Sequence, residues 1–194
     1  MSKAAGQVTG LLSPLVERLR LSRIARHVPP GSRVLDVGCG RGRLLDFITA
    51  PAGYAGVDII EQVITDNRRA GPGRLFLLLD IEEGRLPDGC GPFDVIAIGA
   101  ALEHFRKPAR TLARLGESLR PGGRIVLTTP APAGGGIIEF CSGIGLLSRE
   151  AAEEHQDLYS RADIERLARE AGLRVALFER FLFGLNQLAV MARA

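Results

Sequence analysis

Hydrophobic positions along the chain form two kinds of pattern, short apolar runs and longer stretches with helical spacing. The first helical stretch lies in residues 8–28 and ends before Pro29-Pro30-Gly31. Its apolar positions, separated by arginines, are Leu12, Leu15, Val16, Leu19 and, less regularly, Ile24. The spacing predicts an amphipathic helix that either packs on the protein's own sheet and closes a cleft there, or meets a membrane surface.

Short runs rich in apolar and β-branched residues follow. They predict strands at Arg33–Val37, Tyr54–Asp58, Arg74–Leu79, Phe93–Ile98 and Arg124–Thr129. Helical spacing between them predicts helices over residues 41–49, 60–70 and 108–119. Strands that alternate with helices in this way pair in parallel, with helices on both faces of the sheet.

In the last part of the chain, strands and helices no longer alternate regularly. Residues 130–160 interrupt the alternation and predict a partly helical lid or cap. Ser160 is the predicted N-cap of a helix over Asp163–Ala171. The two final strands, Leu173–Phe181 and Leu188–Arg193, are close enough to pair antiparallel at the sheet edge. The predicted fold is therefore an α/β domain with an open, mostly parallel seven-stranded sheet whose last strand is reversed.

Composition supports one core. The chain has 194 residues and 46% hydrophobic content, so we expect a single domain over residues 1–194. No apolar run approaches the ~20 residues that cross a bilayer, and the first residues lack the apolar core of a secretory signal. The expected location is therefore the cytoplasm.

Charge and cysteine usage exclude other classes of protein. The formal net charge is +3, and the basic residues are nearly all arginines that are scattered rather than clustered. This distribution argues against a nucleic-acid partner. Cys39, Cys90 and Cys141 lack metal-ligand spacing and predict neither a metal site nor a disulfide. The oligomeric state is not encoded in any of these patterns.

The candidate chemistry lies where open α/β sheets bind ligands, at the carboxyl ends of the strands. After the first strand comes Gly38-Cys39-Gly40-Arg41-Gly42, whose glycines permit a tight turn and a close approach of the backbone to a ligand. A dinucleotide fingerprint would need glycine where Arg43 stands. Asp36, just before the turn, would repel a pyrophosphate and favours a cationic ligand.

Acids also end the second and third strands. Asp58 is placed to accept hydrogen bonds from both hydroxyls of a ribose, and Asp80 from the exocyclic amine of an adenine, with Ile59 and Ile81 as apolar walls. Either acid alone is equally typical of an ordinary turn or helix cap. Together with the glycine turn, the three acids indicate an adenosyl ligand with a positively charged tail.

These residues lie in the motifs VLDVGCGRG, GVDI, LDIEEGRLPDG, FDVIAIGAALEHF and LRPGGRIVLTTP. In this order and spacing, residues 32–193 resemble the class I S-adenosylmethionine-dependent methyltransferases, of the small-molecule type seen in ubiquinone and menaquinone biosynthesis. The resemblance implies a Rossmann-like sheet of strand order 3-2-1-4-5-7-6, with S-adenosylmethionine as cofactor and S-adenosylhomocysteine as product. It also implies cofactor contacts from Asp36, Gly38, Gly40, Asp58, Asp80 and the backbone near Gly99, to which we add Cys39 in the turn and the walls Ile59 and Ile81.

The acceptor is not implied. Gly99-Ala100-Ala101-Leu102 stands where amino-methylating nucleic-acid enzymes carry an N/D-P-P-Y/F motif, so we expect methyl transfer to oxygen, carbon or nitrogen of a small molecule. His104 is the candidate general base or acceptor-orienting residue, because imidazole titrates near pH ~6.5. A structural hydrogen bond is the alternative role. His155 and Tyr159 are candidate lid contacts. A methyltransferase-like binding module without turnover and an RNA-modifying enzyme remain as alternative functions.

Overall fold

The protein is built around one sheet in a computed structural model that describes residues 13–132 and 158–194. Its strands are β1 Arg33–Val37, β2 Gly53–Asp58, β3 Leu75–Leu78, β4 Phe93–Gly99, β5 Leu119–Pro130, β6 Leu173–Phe181 and β7 Asn186–Arg193. Its helices are α1 Ser13–Ala25, α2 Glu61–Ala70, α3 Pro108–Glu117 and α4 Arg161–Glu170, and there are 3₁₀ turns at Arg43–Asp46 and Leu102–His104. The strand order β3-β2-β1-β4-β5-β7-β6 confirms the prediction.

The strands from β3 to β5 are parallel, and β7 runs antiparallel to both β5 and β6. Because consecutive side chains of a strand face opposite sides, β1 contributes to two cores. Leu35 packs with residues of α3 and α4, whereas Val34 packs with Ile24 of α1. Burial on both faces explains why the central strands are almost uniformly apolar.

Helix α1 packs on the protein's own sheet. Ile24 and Val28 are buried in the core on this face, and Arg23 forms a 3.2 Å ion pair with Glu179 of β6. Leu15, in contrast, is 53% exposed although it belongs to the predicted apolar face. The helix therefore contacts the sheet mainly through its second half. Residues 8–12 of the predicted helix lie outside the described residues.

Two local predictions were wrong in extent. Residues 41–49 contain one 3₁₀ turn, Arg43–Asp46, rather than a helix, because Gly42 before the turn and Ala50 after it both have positive φ, 67° and 41°. The few residues left between them are too short to nucleate an α-helix. Strand β5 begins at Leu119 rather than Arg124, and its register with β4 shifts as it passes through Pro121-Gly122-Gly123.

The beginning of α4 follows the sequence signal closely. The Ser160 hydroxyl accepts a hydrogen bond from the Asp163 backbone N–H, and the Asp163 carboxylate accepts one from the Ser160 N–H. This reciprocal pair starts the helix at Arg161, two residues before the predicted start. Most of the predicted lid, including His155, lies outside the described residues.

Candidate active site

The glycine turn after β1 forms a tight loop at the carboxyl edge of the sheet. Gly38 has a φ of 66°, and a Cβ added to it would lie 2.9 Å from the Cβ of Ala101. Gly40 has a φ of 48°, and its backbone N–H donates to the Asp58 carboxylate at 2.9 Å. Side chains at these two positions would strain the loop or fill the space that a ligand needs.

Asp36 is buried beneath this loop, with 4% of its surface exposed. The Tyr54 hydroxyl donates a 2.6 Å hydrogen bond to its carboxylate. Burial raises the pKa of Asp36 to about 7, against the lowering effect of Tyr54, and the nearby charge of Asp58 adds to the rise. Burial therefore favours the neutral form of Asp36, and a cationic ligand would stabilise the ionised form.

The carboxylate of Asp58 connects two segments of backbone. One oxygen accepts from the Gly40 N–H at 2.9 Å and the other from the Ile60 N–H at 3.0 Å. These bonds join the glycine loop to the beginning of α2. Each oxygen keeps a further lone pair for a ligand hydroxyl.

Cys39 is a small buried residue of the loop. Its backbone N–H donates to the Val57 carbonyl at 3.0 Å. Burial raises the pKa of the Cys39 thiol far above its ordinary value, and the charges of Asp36 and Asp58 raise it further. The thiolate is disfavoured, so Cys39 is unsuited to act as a nucleophile.

A cavity of about 100 Å³ lies between the glycine loop and α1. It is lined by Glu17, Arg20, Leu21, Asp36, Gly38, Cys39, Gly40, Arg43, Leu44, Gly99 and Ala100. The predicted residues Asp36, Gly38, Cys39, Gly40 and Gly99 are therefore brought together at one place. The sequence analysis predicted that this helix could close a cleft but named none of its residues as part of the site.

Arg20 is the main site residue that the sequence analysis missed. Its Nε donates to the Asn186 Oδ1 at 2.6 Å, which holds the guanidinium at the cavity wall. Burial lowers the pKa of Arg20, and the charges of Glu103 and Glu17 oppose that effect. An arginine remains cationic under these conditions. Many arginines flank the apolar positions of α1, so no local pattern singles out Arg20.

Asp80 and its neighbours lie at an open part of the same edge. Ile59 is 70% exposed, whereas Ile81 packs partly buried against the core. One oxygen of Asp80 accepts from the Glu82 N–H at 2.9 Å, and the other from the Arg106 guanidinium at 3.2 Å. Asp80, Ile59 and Ile81 stand outside the enclosed cavity.

The segment after β4 carries one exposed and one buried polar side chain. His104 is exposed at the end of its 3₁₀ turn, whereas Glu103 is 2% exposed. Ala100 has a φ of 53°, which is strained for a residue with a Cβ. In the described part of the chain, the buried side-chain oxygens without a hydrogen-bond partner belong to Glu103, Thr128, Thr129 and Gln187. All four residues lie near the carboxyl end of β4 or β5, or at the beginning of β7.

Two kinds of feature are absent from the described residues. Among residues 13–132 and 158–194, no group of three or more His, Cys, Asp or Glu side chains is arranged to hold a metal ion. Within the same ranges, no helix combines the length and apolar character that crossing a membrane requires.

Comparison with known proteins identifies the family. Residues 5–177 match the sequence model of a methyltransferase domain. The chain belongs to the S-adenosylmethionine-dependent methyltransferases. It is 28% identical, over 81% of its length, to a ubiquinone biosynthesis O-methyltransferase of Xylella fastidiosa (strain 9a5c), and it spans 67% of that relative. It is 35% identical, over 62% of its length, to the protein of the same name from Nitrosococcus oceani, and it spans 54% of that one.

Solved structures agree on the fold of this methyltransferase. The magnesium protoporphyrin IX methyltransferase of Synechocystis PCC 6803 with bound S-adenosylhomocysteine superimposes with a TM-score of 0.69. The alignment covers 98% of this chain and 90% of that one at 18% sequence identity. At this identity the likeness shows the class I fold and says nothing about the acceptor.

The residues of the cavity fit the amino-acid part of S-adenosylmethionine. Asp36 offers a negative charge to an ammonium group and Arg20 a positive charge to a carboxylate. Between them the backbone at Gly38 lies where any side chain would collide with Ala101. We name the two parts of the cleft after the part of the cofactor that we propose each binds. The enclosed part, with Asp36, Gly38 and Arg20, is called the amino-acid end, and the open part, with Ile59 and Asp80, is called the adenine end.

Proposed function

We propose that this methyltransferase transfers a methyl group from S-adenosylmethionine to oxygen, carbon or nitrogen of a small-molecule acceptor. The observation that carries the proposal is the enclosed cavity with a buried carboxylate and an arginine at its walls. These opposite charges suit a ligand with both an ammonium and a carboxylate group. When bound, S-adenosylmethionine supplies an electrophilic methyl group on its sulfonium.

Six of the predicted residues, together with Arg20, have a role in holding the cofactor. Asp36 and Arg20 bind the two charged groups of the amino-acid part, and the backbone of Gly38 and Gly40 allows close approach. Asp58 accepts from the ribose hydroxyls with its remaining lone pairs. Asp80 accepts from the adenine amine, while the exposed side chain of Ile59 covers one face of the base.

The acceptor binds beside the segment after β4. This location is supported by the four buried oxygens without partners near the ends of β4 and β5 and the beginning of β7. The protein aligns the acceptor and excludes water, and these effects account for much of the acceleration of a displacement. Glu103 and His104 are the two groups of this segment that can take up a proton.

The relatives support a small-molecule acceptor. The two curated relatives are named for O-methylation in ubiquinone biosynthesis. We take only the class of acceptor from them, because the chain spans about half to two thirds of their lengths. A cytoplasmic location and a single domain over residues 1–194 belong to the same proposal. Cell fractionation and limited proteolysis test them.

A thermal-shift experiment tests the cofactor. S-adenosylhomocysteine at a hundred times its dissociation constant adds about 2.7 kcal/mol to the free energy of unfolding, which raises the melting temperature by roughly 5–10 °C. NADH at the same concentration is expected to leave it unchanged. Equal shifts with both ligands, or none with either, would contradict the proposal. Absence of turnover on a broad panel of small acceptors, despite tight binding, would favour a binding module.

Turnover of two variants tests the proton acceptor. Replacement of His104 by Asn is expected to lower turnover about 100-fold and to leave S-adenosylhomocysteine affinity within a few-fold. Glu103→Gln is the matched variant. If His104→Asn keeps normal turnover and Glu103→Gln loses it, the buried carboxylate is the base instead.

A further inference from the structure

The carboxylate of Asp80 is held from two sides. Its Oδ1 accepts the Glu82 backbone N–H at 2.9 Å, which comes from its own loop. Its Oδ2 accepts Nη2 of Arg106 at 3.2 Å, which comes from the segment after β4. The side chain therefore has one preferred orientation although it stands at the open end of the cleft.

Glu82 is the buried anchor of this arrangement, with 8% of its surface exposed. Its Oε2 accepts from the Arg106 backbone N–H at 3.0 Å and from the Arg106 Nε at 3.2 Å. Its Oε1 accepts from the Lys107 N–H at 2.7 Å. A buried carboxylate is costly unless it is paired, and here it fixes both the backbone and the guanidinium of Arg106.

The loop after β3 is also attached to α3. Arg114 donates to the Glu82 carbonyl at 2.7 Å and to the Gly84 carbonyl. The loop that carries Asp80 is thus connected to the segment after β4 in two ways. The Glu82 side chain accepts hydrogen bonds from that segment, and the Arg106 side chain donates one back to Asp80. Loss of the Glu82 carboxylate would leave Arg106 held mainly by the exposed acids Asp80 and Glu83.

We infer that Glu82 and Arg106 are positioning residues that orient Asp80 and thereby determine the nucleobase specificity of the cofactor site. The inference rests on the proposed function. An ionised carboxylate only accepts hydrogen bonds, so it binds the amine of adenine and repels the carbonyl oxygen of a 6-oxo purine. Discrimination of this kind requires that the carboxylate cannot turn away from the mismatched base.

Calorimetry with two ligands tests the inference. S-adenosylhomocysteine and S-inosylhomocysteine differ only at the base, where the 6-oxo purine has a carbonyl in place of the amine and a proton on N1. We expect the wild type to prefer the adenine ligand by about tenfold or more, and Glu82→Gln and Arg106→Ala to reduce this preference by at least about threefold. Because both ligands share the sugar and the amino acid, general loosening of the cleft weakens them equally and leaves their ratio unchanged.

Glu83→Gln is the matched control. Glu83 is the exposed neighbour of Glu82 and contacts Arg106 only at 3.6 Å, so its replacement is expected to preserve the ratio. If Glu82→Gln does not fold, Arg106→Ala decides, because the Arg106 side chain is 61% exposed. An unchanged ratio in the folded variants would overturn this inference alone. A wild type that binds neither ligand would overturn the proposed function, and the inference with it.

Discussion

The two ends of the cleft carry acids that look alike in the sequence but stand in different surroundings. At the amino-acid end, Asp36 is buried under the glycine loop and α1, and its pKa is raised to about 7 by that burial. At the adenine end, Asp80 is exposed and paired with Arg106. Asp58 lies between them and bonds to backbone on both sides.

The difference indicates two ways of binding the parts of one ligand. Enclosed charges interact strongly because little water screens them, so the amino-acid end should contribute affinity through charge. The open end has weaker electrostatics, and an exposed apolar surface beside an oriented carboxylate is better suited to recognising a base. A substitution at one end should therefore mainly weaken the binding of the part of the ligand that this end contacts.

The largest effect is expected where the two ends meet. Asp58→Ala removes an acceptor from two backbone N–H groups as well as from the ligand hydroxyls, and charged hydrogen bonds contribute about 1.5–3 kcal/mol each. With two ribose hydroxyls, S-adenosylhomocysteine affinity should fall by about a hundredfold or more in calorimetry. The exposed Asp88→Ala is the control. Unchanged affinity in Asp58→Ala would mean that this acid does not contact the ribose.

Arg20→Met tests the contribution of the amino-acid end separately from that of the adenine end. It removes the positive charge of the amino-acid end, so S-adenosylhomocysteine should bind about tenfold more weakly. 5′-Methylthioadenosine, which has no carboxylate, should bind within about threefold of wild type. The neighbouring Arg18→Met controls for loss of charge from α1. Equal losses for both ligands would show that Arg20 supports the fold of the cleft rather than binding a carboxylate.

The titration of Asp36 predicts a smaller, pH-dependent effect. Its ionised form predominates above its pKa of about 7, so affinity for the ammonium-bearing S-adenosylhomocysteine should rise several-fold from about pH 6 to about pH 7.5. Asp36→Asn should flatten this rise, and 5′-methylthioadenosine should not show it in either protein.

The stability of the free protein should change in the opposite direction. Between the ordinary Asp value of 3.8 and about 7, folded Asp36 holds a proton that the unfolded chain releases. Stability therefore falls as pH rises through this window, and is lowest above it. Melting temperatures of wild type and Asp36→Asn over this range measure the contribution. A wild type whose difference from the variant is the same at every pH would contradict the raised pKa.

The smallest effect is expected from Tyr54→Phe. The Tyr54 hydroxyl donates to Asp36 at 2.6 Å and lowers its pKa, so its removal should move the midpoint of the affinity rise to higher pH. The ring remains, and with it the edge-to-face contact with Phe76, in which the two ring centroids are 5.8 Å apart. A midpoint that moves to lower pH would show that the hydroxyl does not stabilise the ionised carboxylate.

Much of the fold and part of the candidate site could be predicted from local pattern. The strand β1 and the helix start at Ser160 depend on neighbouring residues, so apolar spacing and a capping box predict them well. The helix expected over residues 41–49 failed because positive φ at Gly42 and Ala50 left too short a segment. That constraint comes from the turn and the following strand, which local spacing does not show.

The sequence by itself determined where the strands lie along the chain, the glycine turn and the acids at the strand ends, because each is encoded within a few consecutive residues. The order of the strands in the sheet followed from the family resemblance. Only the tertiary structure decided which charges are enclosed. Arg20 reaches the cavity because Asn186, far along the chain, lies beside it, and Glu82 is buried because the segment after β4 folds over it. Burial and long-range pairing depend on distances that the chain acquires only when the sheet has formed. They explain why Asp36 is buried whereas Asp80 is exposed and paired with an arginine.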